Sequence, residues 1–172
     1  KNFINQNSVV LDWGSGIGRL SKAIIDEFGC RVVGVDINPT MREYSVDYVN
    51  SDKFTPMSVE EFKNNNSIQY SNVISVWTLQ HSVTVIEDLE LIQSRLLPDG
   101  EVFIFEATER CVPIMKLENG HSWAIIRGSS NFHTADQMFK IKEHGTFPAR
   151  LKIPENDRSW WAFFKNKQRK SV

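Results

Sequence analysis

Cysteine is scarce in this sequence, with Cys30 and Cys111 far apart and alone. Two isolated thiols supply neither a disulfide framework nor the clustered ligands of a zinc site, and no other metal-ligand spacing is visible, so no metal is expected. They fit a reducing compartment, and a cytoplasmic location is the expectation. Long apolar runs are missing too. Nothing approaches the ~20 residues needed to cross a bilayer, and no secretory leader is visible, so no membrane partner is expected. Charge of one sign is equally lacking: 20 basic residues face 21 acidic ones. That balance builds in no bulk attraction to nucleic acid or anionic lipid, and a nucleic-acid partner is not expected. Only the tail from Lys165 to Lys170 is distinctly basic, the pattern of a frayed terminus. No internal repeat is present, and no Ser-His-Asp or Cys-His arrangement sits in a strand-turn context. The 172 residues read as one domain, long enough for a sizeable core, that begins at Lys1 rather than methionine.

What the chain does have is alternation. "VVLDWG" is a short β-branched run. Glycines follow, and "RLSKAIIDEF" then places Leu20, Ile24, Ile25 and Phe28 at helical spacing before Gly29 stops the helix. "RVVGVD" reads as a second apolar strand ending in Asp36, and the Asn38-Pro39 step breaks the chain before a short helix over 41–46. "DYVN" is read as a third strand, and "SVEEFKNN" as a helix that Ser58 caps with Glu61 at its third position. "NVISV" is the fourth strand, 85–97 the next helix, and Pro98-Asp99-Gly100 the turn into "EVFIFE", the fifth. Continuous apolar strands alternating with helices predict a parallel sheet covered on both faces, an α/β doubly wound fold.

After Glu106 the rhythm changes. Residues 107–133 carry no clear periodicity and predict a long irregular insertion. A helix over 133–145 follows, with Thr134 as N-cap and Gly145 as stop. "FPARLKI" and "RSWWAFFK" then read as strands joined by the turn-prone "PENDR", a link too short for a crossover, so this pair should be antiparallel. The alternating aromatics of the last strand read as core.

The stretch "LDWGSGIG" carries the first functional signal. Gly14, Gly16 and Gly18 stand between the end of a strand and the start of a helix, where a ligand can lie against bare backbone and use the amides at the helix start. Asp36 lies 22 residues beyond Gly14, at the tip of the second strand, where a carboxylate can accept hydrogen bonds from both ribose hydroxyls of an adenine nucleoside. The dinucleotide fingerprint G-x-G-x-x-G needs glycine at 19, where Arg19 stands, and a frame begun at Gly16 meets Ser21. Asp12, two positions before the first glycine, would oppose a pyrophosphate and suit a cation such as an amino acid's ammonium. Adenosine at one end and an amino acid at the other describe S-adenosylmethionine.

These residues resemble the class I S-adenosylmethionine-dependent methyltransferases. "VVLDWGSGIGRL" is similar to the family's glycine-rich signature, "VVGVDIN" to its acidic second-strand motif, "YSNVISVWTLQHS" to its fourth-strand segment and "LLPDGEVFIFE" to the turn and fifth strand. The resemblance runs over most of the chain. It implies a mostly parallel seven-stranded sheet of order 3-2-1-4-5-7-6 with the last strand antiparallel, and S-adenosylmethionine as cofactor. It further implies that Gly14, Gly16 and Gly18 line the cofactor, that Asp36 with Ile37 holds the nucleoside, that Asp52 and Lys53 sit at the adenine edge and that Trp77 lies near the methionine half. Tyr70-Ser71 stands where the family often has an aromatic-Asp pair, and Asp99 replaces a common glycine. The family usually carries N-terminal helices that close over the cofactor, and little precedes Val9; either such a cap is missing from the sequence or the site is open.

The implied reaction is in-line transfer of a methyl group from a sulfonium to a nucleophile, in which alignment and exclusion of water matter more than a general base. His81 and Glu106 are the candidate catalytic residues, each able to take a proton or orient a substrate, with a structural role for His81 as the competing reading. The 107–133 insertion, with Arg110, His121, Trp123, Arg127 and His133, is the expected lid or substrate-binding region. Near-neutral charge and small size favour a small-molecule acceptor. Two alternatives stay open at this level: an NAD(P)-linked oxidoreductase domain and a non-catalytic binding protein on the methyltransferase fold.

Overall fold

The structure, a computed structural model, describes residues 3–117, 120–126, 130–147 and 159–167. The order is β1 (Val9–Trp13), α1 (Arg19–Phe28), β2 (Arg31–Val35), α2 (Pro39–Val49), β3 (Phe54–Met57), α3 (Val59–Asn64) and β4 (Tyr70–Val76). A single 3-10 turn (Leu79–His81) leads to α4 (Val85–Arg95) and β5 (Leu96–Ala107). Then come β6 (Arg110–Leu117), β7 (Gly120–Ile126), α5 (Asn131–Met138), β8 (Phe139–Phe147) and β9 (Ser159–Asn166).

Burial on both faces explains the unbroken apolar strands. Val10 and Leu11 are neighbours on β1, point to opposite faces and are both fully buried. One face packs under α1 and α2, through Val10, Val32 and Ile74 against Ile24, Ile25 and Val49. The other packs under α3, α4 and α5, through Leu11, Val33 and Val73 against Phe62, Leu89 and Ala135. The seven-stranded sheet runs β3-β2-β1-β4-β5-β9-β8, and β6-β7 forms a separate two-stranded sheet. Strands β1 to β5 are mutually parallel, and β9 runs antiparallel to both β5 and β8. The doubly wound α/β expectation holds; the order differs from the expected numbering in that the β6-β7 hairpin intervenes before the last pair.

Four local expectations are corrected. "DYVN" belongs to the end of α2: Asn38 caps that helix by accepting from the amides of Thr40 and Met41, Pro39 fits its first turn, and Asn50 in the left-handed conformation ends it. The third strand is instead Phe54–Met57, which ends where Ser58 begins its capping box with Glu61. Residues 107–133 are not irregular, since they contain the β6-β7 hairpin, with a bulge between Pro113 and Met115. The helix over 133–145 is shorter and earlier: Ser130 rather than Thr134 caps α5, and Phe139 starts β8. Alternation rather than helical spacing governs "FKIKEHGTF", where Phe139 is fully buried against Phe164. Gly145 is no helix stop; the Trp161 indole crosses the strand there, 2.8 Å from where a Cβ would stand. Residues 148–158, which hold most of "FPARLKI" and all of "PENDR", lie outside the described residues.

Phe62 on α3 shows how the core supports the sheet's working edge. It is fully buried, meets the Trp13 ring edge-on at 5.7 Å and stacks on Tyr70 at 6.1 Å, while the Arg95 guanidinium lies 4.5 Å above it. The Tyr70 hydroxyl in turn donates to the Ile92 carbonyl. Phe62→Ala should cost roughly 3–5 kcal/mol, the range for deleting a buried aromatic, read as a lower midpoint in urea unfolding followed by tryptophan fluorescence.

Candidate functional site

In an open parallel sheet, the loops at the carboxyl ends of the strands meet where the strand order reverses. Here that point lies between β1 and β4. A cleft of about 550 Å³ opens there, reaching from Gly14, Asp36 and Ile37 to Trp77, His81 and Pro113. A wider polar groove of about 700 Å³ runs along α3 past Glu61 and Asn65, but it is open to solvent and has no part of the glycine loop.

Gly14 and Gly16 have φ of +79° and +54°, values that a side chain strains. Their reasons for being glycine differ. A Cβ on Gly14 would fall 2.1 Å from Thr78 Oγ1, so the β4 loop occupies that space. A Cβ on Gly16 would meet no protein atom within 4 Å. The loop's amides are largely used within the protein: Gly14 and Ser15 donate to the Val35 carbonyl at 2.7 and 3.0 Å, and Gly18 donates to Ser15 at 2.9 Å. Gly16 donates to Asp36 Oδ2 at 2.8 Å. The loop is therefore a folded cradle more than an open nest of amides.

Asp36 is fixed from both sides, since Asn38 N–H donates to its Oδ1 at 2.8 Å and Arg42 donates to its carbonyl at 2.7 Å. A carboxylate has about four acceptor positions, so each oxygen keeps capacity toward the cleft. Beside it Ile37 is 83% exposed, a large apolar side chain held at the cleft rim. Asp12 differs from its expectation as a contact for a cation. It is 2% exposed, and the Ser21 hydroxyl on α1 donates to its Oδ2 at 2.6 Å. Burial pushes its carboxyl up to about 6, against the Ser21 hydrogen bonds.

Asp52 and Lys53 are corrected outright. They precede β3, at the amino ends of the parallel strands, whereas the cleft lies at the carboxyl ends. Lys53 Nζ donates to the Gly29 carbonyl at 2.8 Å and caps the end of α1. The misplacement followed from reading the third strand too early. At the proper edge of β3 stand Ser58 and Val59, and Val59 lines the cleft; the Ser58-Glu61 capping box was the sequence signal that could have marked that edge.

The loop after β4 is the most constrained part of the site. Trp77 has φ +58°, uncommon for a bulky residue and a mark of functional strain. Its N–H donates to the Phe105 carbonyl at 2.9 Å, and its half-exposed ring meets Phe105 edge-on at 4.9 Å while lining the cleft. Glu106 underlies the turn. Its carboxylate accepts from the amides of Thr78 and Leu79 at 3.0 Å each and of Gln80 at 2.7 Å, and the residue is fully buried. Burial pushes its carboxyl up to about 7, against those three hydrogen bonds. So committed, it holds the loop and has no face for a substrate, contrary to its sequence expectation.

His81 closes a hydrogen-bond chain whose polarity can be worked out. Ala107 N–H donates to Gln80 Oε1 at 2.6 Å, which leaves the Gln80 amino group to donate to His81 Nε2 at 3.0 Å. His81 Nδ1 then carries the proton and donates to the Cys111 carbonyl at 2.7 Å. Trp123 meets the imidazole edge-on at 5.4 Å, and Arg110 donates to the Ser82 carbonyl at 2.5 Å. His81 thus pins the β6-β7 hairpin to the 3-10 turn, with both ring nitrogens engaged. Gln80, which sequence reasoning did not single out, is the joint between the two. Arg127 lies outside the described residues, His121 lies on β7, and His133 lies on α5, beyond the cleft lining. Among the described residues no group of three His, Cys, Asp or Glu is placed to hold a metal, and no helix is long and apolar enough to cross a membrane.

A glycine cradle, a pinned acidic residue at the tip of β2 and a cleft at the reversal of strand order are the features of a doubly wound α/β protein with a cleft of ligand size. Comparison with known proteins takes the assignment further: a family described as a methyltransferase domain matches residues 1–144. The chain belongs to that family, within the class I S-adenosylmethionine-dependent methyltransferases. No curated protein matches it. Solved structures share the fold at low identity. The N-methyltransferase NodS from Bradyrhizobium japonicum WM9, in complex with S-adenosyl-L-homocysteine, is 10% identical with a TM-score of 0.69, over 94% of this chain and 79% of that one. A methyltransferase in complex with the Haloferax volcanii activator Trm112 is 17% identical with a TM-score of 0.70, over 96% of this chain and 85% of that one. Coclaurine N-methyltransferase, bound to N-methylheliamine and S-adenosyl-L-homocysteine, is 14% identical with a TM-score of 0.72, over 95% of this chain and 68% of that one.

The two buried carboxyls set a pH dependence. Folded, Asp12 and Glu106 sit at about 6 and about 7, above their ordinary values of 3.8 and 4.5. The native state then binds more protons than the unfolded chain between those limits, so their contribution is complete at the acid end and is lost as pH rises through 6 and 7. Urea midpoints should fall from pH 5 to pH 8, and Asp12→Asn and Glu106→Gln should each flatten that slope.

Proposed function

We propose that this protein transfers the methyl group of S-adenosylmethionine to a small-molecule acceptor in the cleft beside Gly14, Gly16 and Asp36. The observation that carries the reading is the pairing of Gly16 with Asp36: the glycine whose missing side chain leaves open space donates to a carboxylate that keeps further capacity toward the cleft. Those features fit an adenosine. Asp36 accepts from the ribose hydroxyls, Ile37 and Val59 offer apolar flanks to the base, and Trp77 stands by the methionine half. Asp12 acts through Ser21 to set the start of α1 and does not touch the ligand. Asp52 and Lys53 have no part in the site.

The cofactor supplies an activated methyl group on a sulfonium with a neutral leaving group. The chain's own task is then placement and exclusion of water. Glu106 fixes the loop that carries Trp77 and Thr78, and His81 holds the hairpin that carries Pro113 against the cleft. In this reading the hairpin is the acceptor-side wall of a single domain, and both residues first named as catalytic are positioning residues.

Calorimetric titration with S-adenosylmethionine and S-adenosylhomocysteine tests the proposal. Both should bind the wild type. Asp36→Ala should weaken binding about ten- to hundredfold, the loss of hydrogen bonds to a charged group, and Gly16→Ala should weaken it too while lowering stability by roughly 1 kcal/mol through its positive φ. Lys53→Ala should leave affinity unchanged. A folded protein that binds neither ligand would sink the reading.

A further inference from the structure

The cleft's acceptor side has a marked chemical character. In the β6-β7 register Pro113 stands opposite Trp123 and Cys111 opposite Ile125, so these four side chains share one face of the hairpin. Pro113 lines the cleft and Trp123 packs on His81, so that face borders the cleft, while Val112 on the opposite face is buried. The face bordering the cleft is poorly covered, with Trp123 51% and Ile125 66% exposed. Across from it, Trp77 at 44% and Val83 at 66% line the cleft. Apolar surface gathered around a cleft marks a binding site for an apolar body.

The cleft is acidic on balance. Its ionisable lining is Asp36, Glu60 and Asp88 against Lys63 and His81, with the Lys63 ammonium already 3.4 Å from Glu60. The helices that open on the cleft add to this, since α3 starts with Glu60 and Glu61 and α4 with Glu87 and Asp88. Such a field disfavours carboxylate, phosphate or thiolate acceptors and attracts cations.

Proton chemistry narrows the class again. The two groups best placed by sequence to act as bases are committed: His81 through both nitrogens and Glu106 through three amides. Both acceptors must lose a proton, but an alkylammonium, in the lysine range of about 10, gives it up to water far more readily than an alcohol does, so an amine depends less on a dedicated base.

We propose, resting on the methyltransferase reading above, that the acceptor is an amine that carries an apolar ring or alkyl body. The ammonium that the acidic lining attracts first gives a proton to water; the lone pair of the neutral amine so formed attacks the methyl carbon as the carbon–sulfur bond breaks with its electron pair passing to sulfur, and the product leaves as the methylated ammonium. The apolar body lies between Pro113 and Trp123 on the hairpin and Trp77 and Val83 along the cleft.

The test is calorimetry on the protein loaded with S-adenosylhomocysteine. The probes are 2-phenylethylamine, tryptamine and octylamine, with 2-phenylethanol and 3-phenylpropanoate as matched alcohol and acid, and ethanolamine as an amine without an apolar body. At least one apolar amine should bind about tenfold or more tightly than the alcohol, the acid and ethanolamine. With S-adenosylmethionine present, mass spectrometry should detect its N-methylated product. Trp123→Ala should weaken that amine severalfold and leave S-adenosylhomocysteine affinity unchanged. Equal or tighter binding of the alcohol, the acid or ethanolamine, no binding of any of the three amines, or a Trp123→Ala variant with unaltered amine affinity would each overturn the proposal. The loading step separates the two readings, because failure of S-adenosylhomocysteine to bind defeats the methyltransferase reading itself.

Discussion

One buried carboxylate organises the working edge of this protein. Glu106 gathers the amides of Thr78, Leu79 and Gln80 at the point where β4 gives way to a single 3-10 turn. A turn that short cannot satisfy its own first amides, and burial denies them water. The carboxylate answers both needs, and in doing so fixes where the chain goes after Val76. From that follow the left-handed conformation of Trp77, the approach of Thr78 to Gly14, and the direction of Gln80 and His81. Each of these lies on the cleft or touches something that does. The cleft is thus shaped from below, by a buried carboxyl group.

Asp12 plays a parallel part on the neighbouring strand, where the Ser21 hydroxyl ties it to α1. Two acidic side chains buried close to the sheet's edge work against stability above neutrality, as their raised pKa values record. Their retention is understandable only through what they position. A hydrophobic residue at 106 would pack well and leave three amides without partners, each costing on the order of 1–3 kcal/mol. The strain at Trp77 has the same logic, since the surrounding hydrogen bonds over-determine a backbone conformation that a tryptophan would not choose alone.

The parts of the site that were legible in the sequence are those where local chemistry is self-sufficient. Glycines between strand and helix, an acid at the tip of the next strand and the Ser58-Glu61 box each act through their own backbone, and each stands where the spacing put it. What the sequence hid depends on pairing across distance. The hairpin of residues 110–126 has no period that a single chain reveals, because a bulge at Pro113 shifts its alternation and the face bordering the cleft is apolar for a cleft and not for a core. The same applies to β8, whose Phe139 reads as the end of a helix until Phe164 of β9 is placed against it. The third strand was lost to a competing signal: Val49 completes the buried stripe of α2 with Ser45, four residues before it. Asp52 and Lys53 then followed the strand to the wrong edge. Glu106 was found but misread, since sequence position puts a carboxylate at the right edge and says nothing about which way it turns.

The division of labour in the cleft follows from this architecture. The proposed cofactor side is built from β1, β2 and their loops, which are held by strand pairing on both flanks. The proposed acceptor side is a two-stranded hairpin outside the main sheet, fastened to the 3-10 turn through His81, Trp123 and Arg110. A two-stranded ribbon alone is marginal in water, so those attachments decide whether its apolar face stays over the cleft. Gln80 is the hinge of that arrangement, because its one amide group accepts from β5 and donates to His81. Exchange of its oxygen and nitrogen ends would break both bonds at once, and this fixes the imidazole's tautomer without any charged partner. A histidine held in this way through both ring nitrogens is a structural pin.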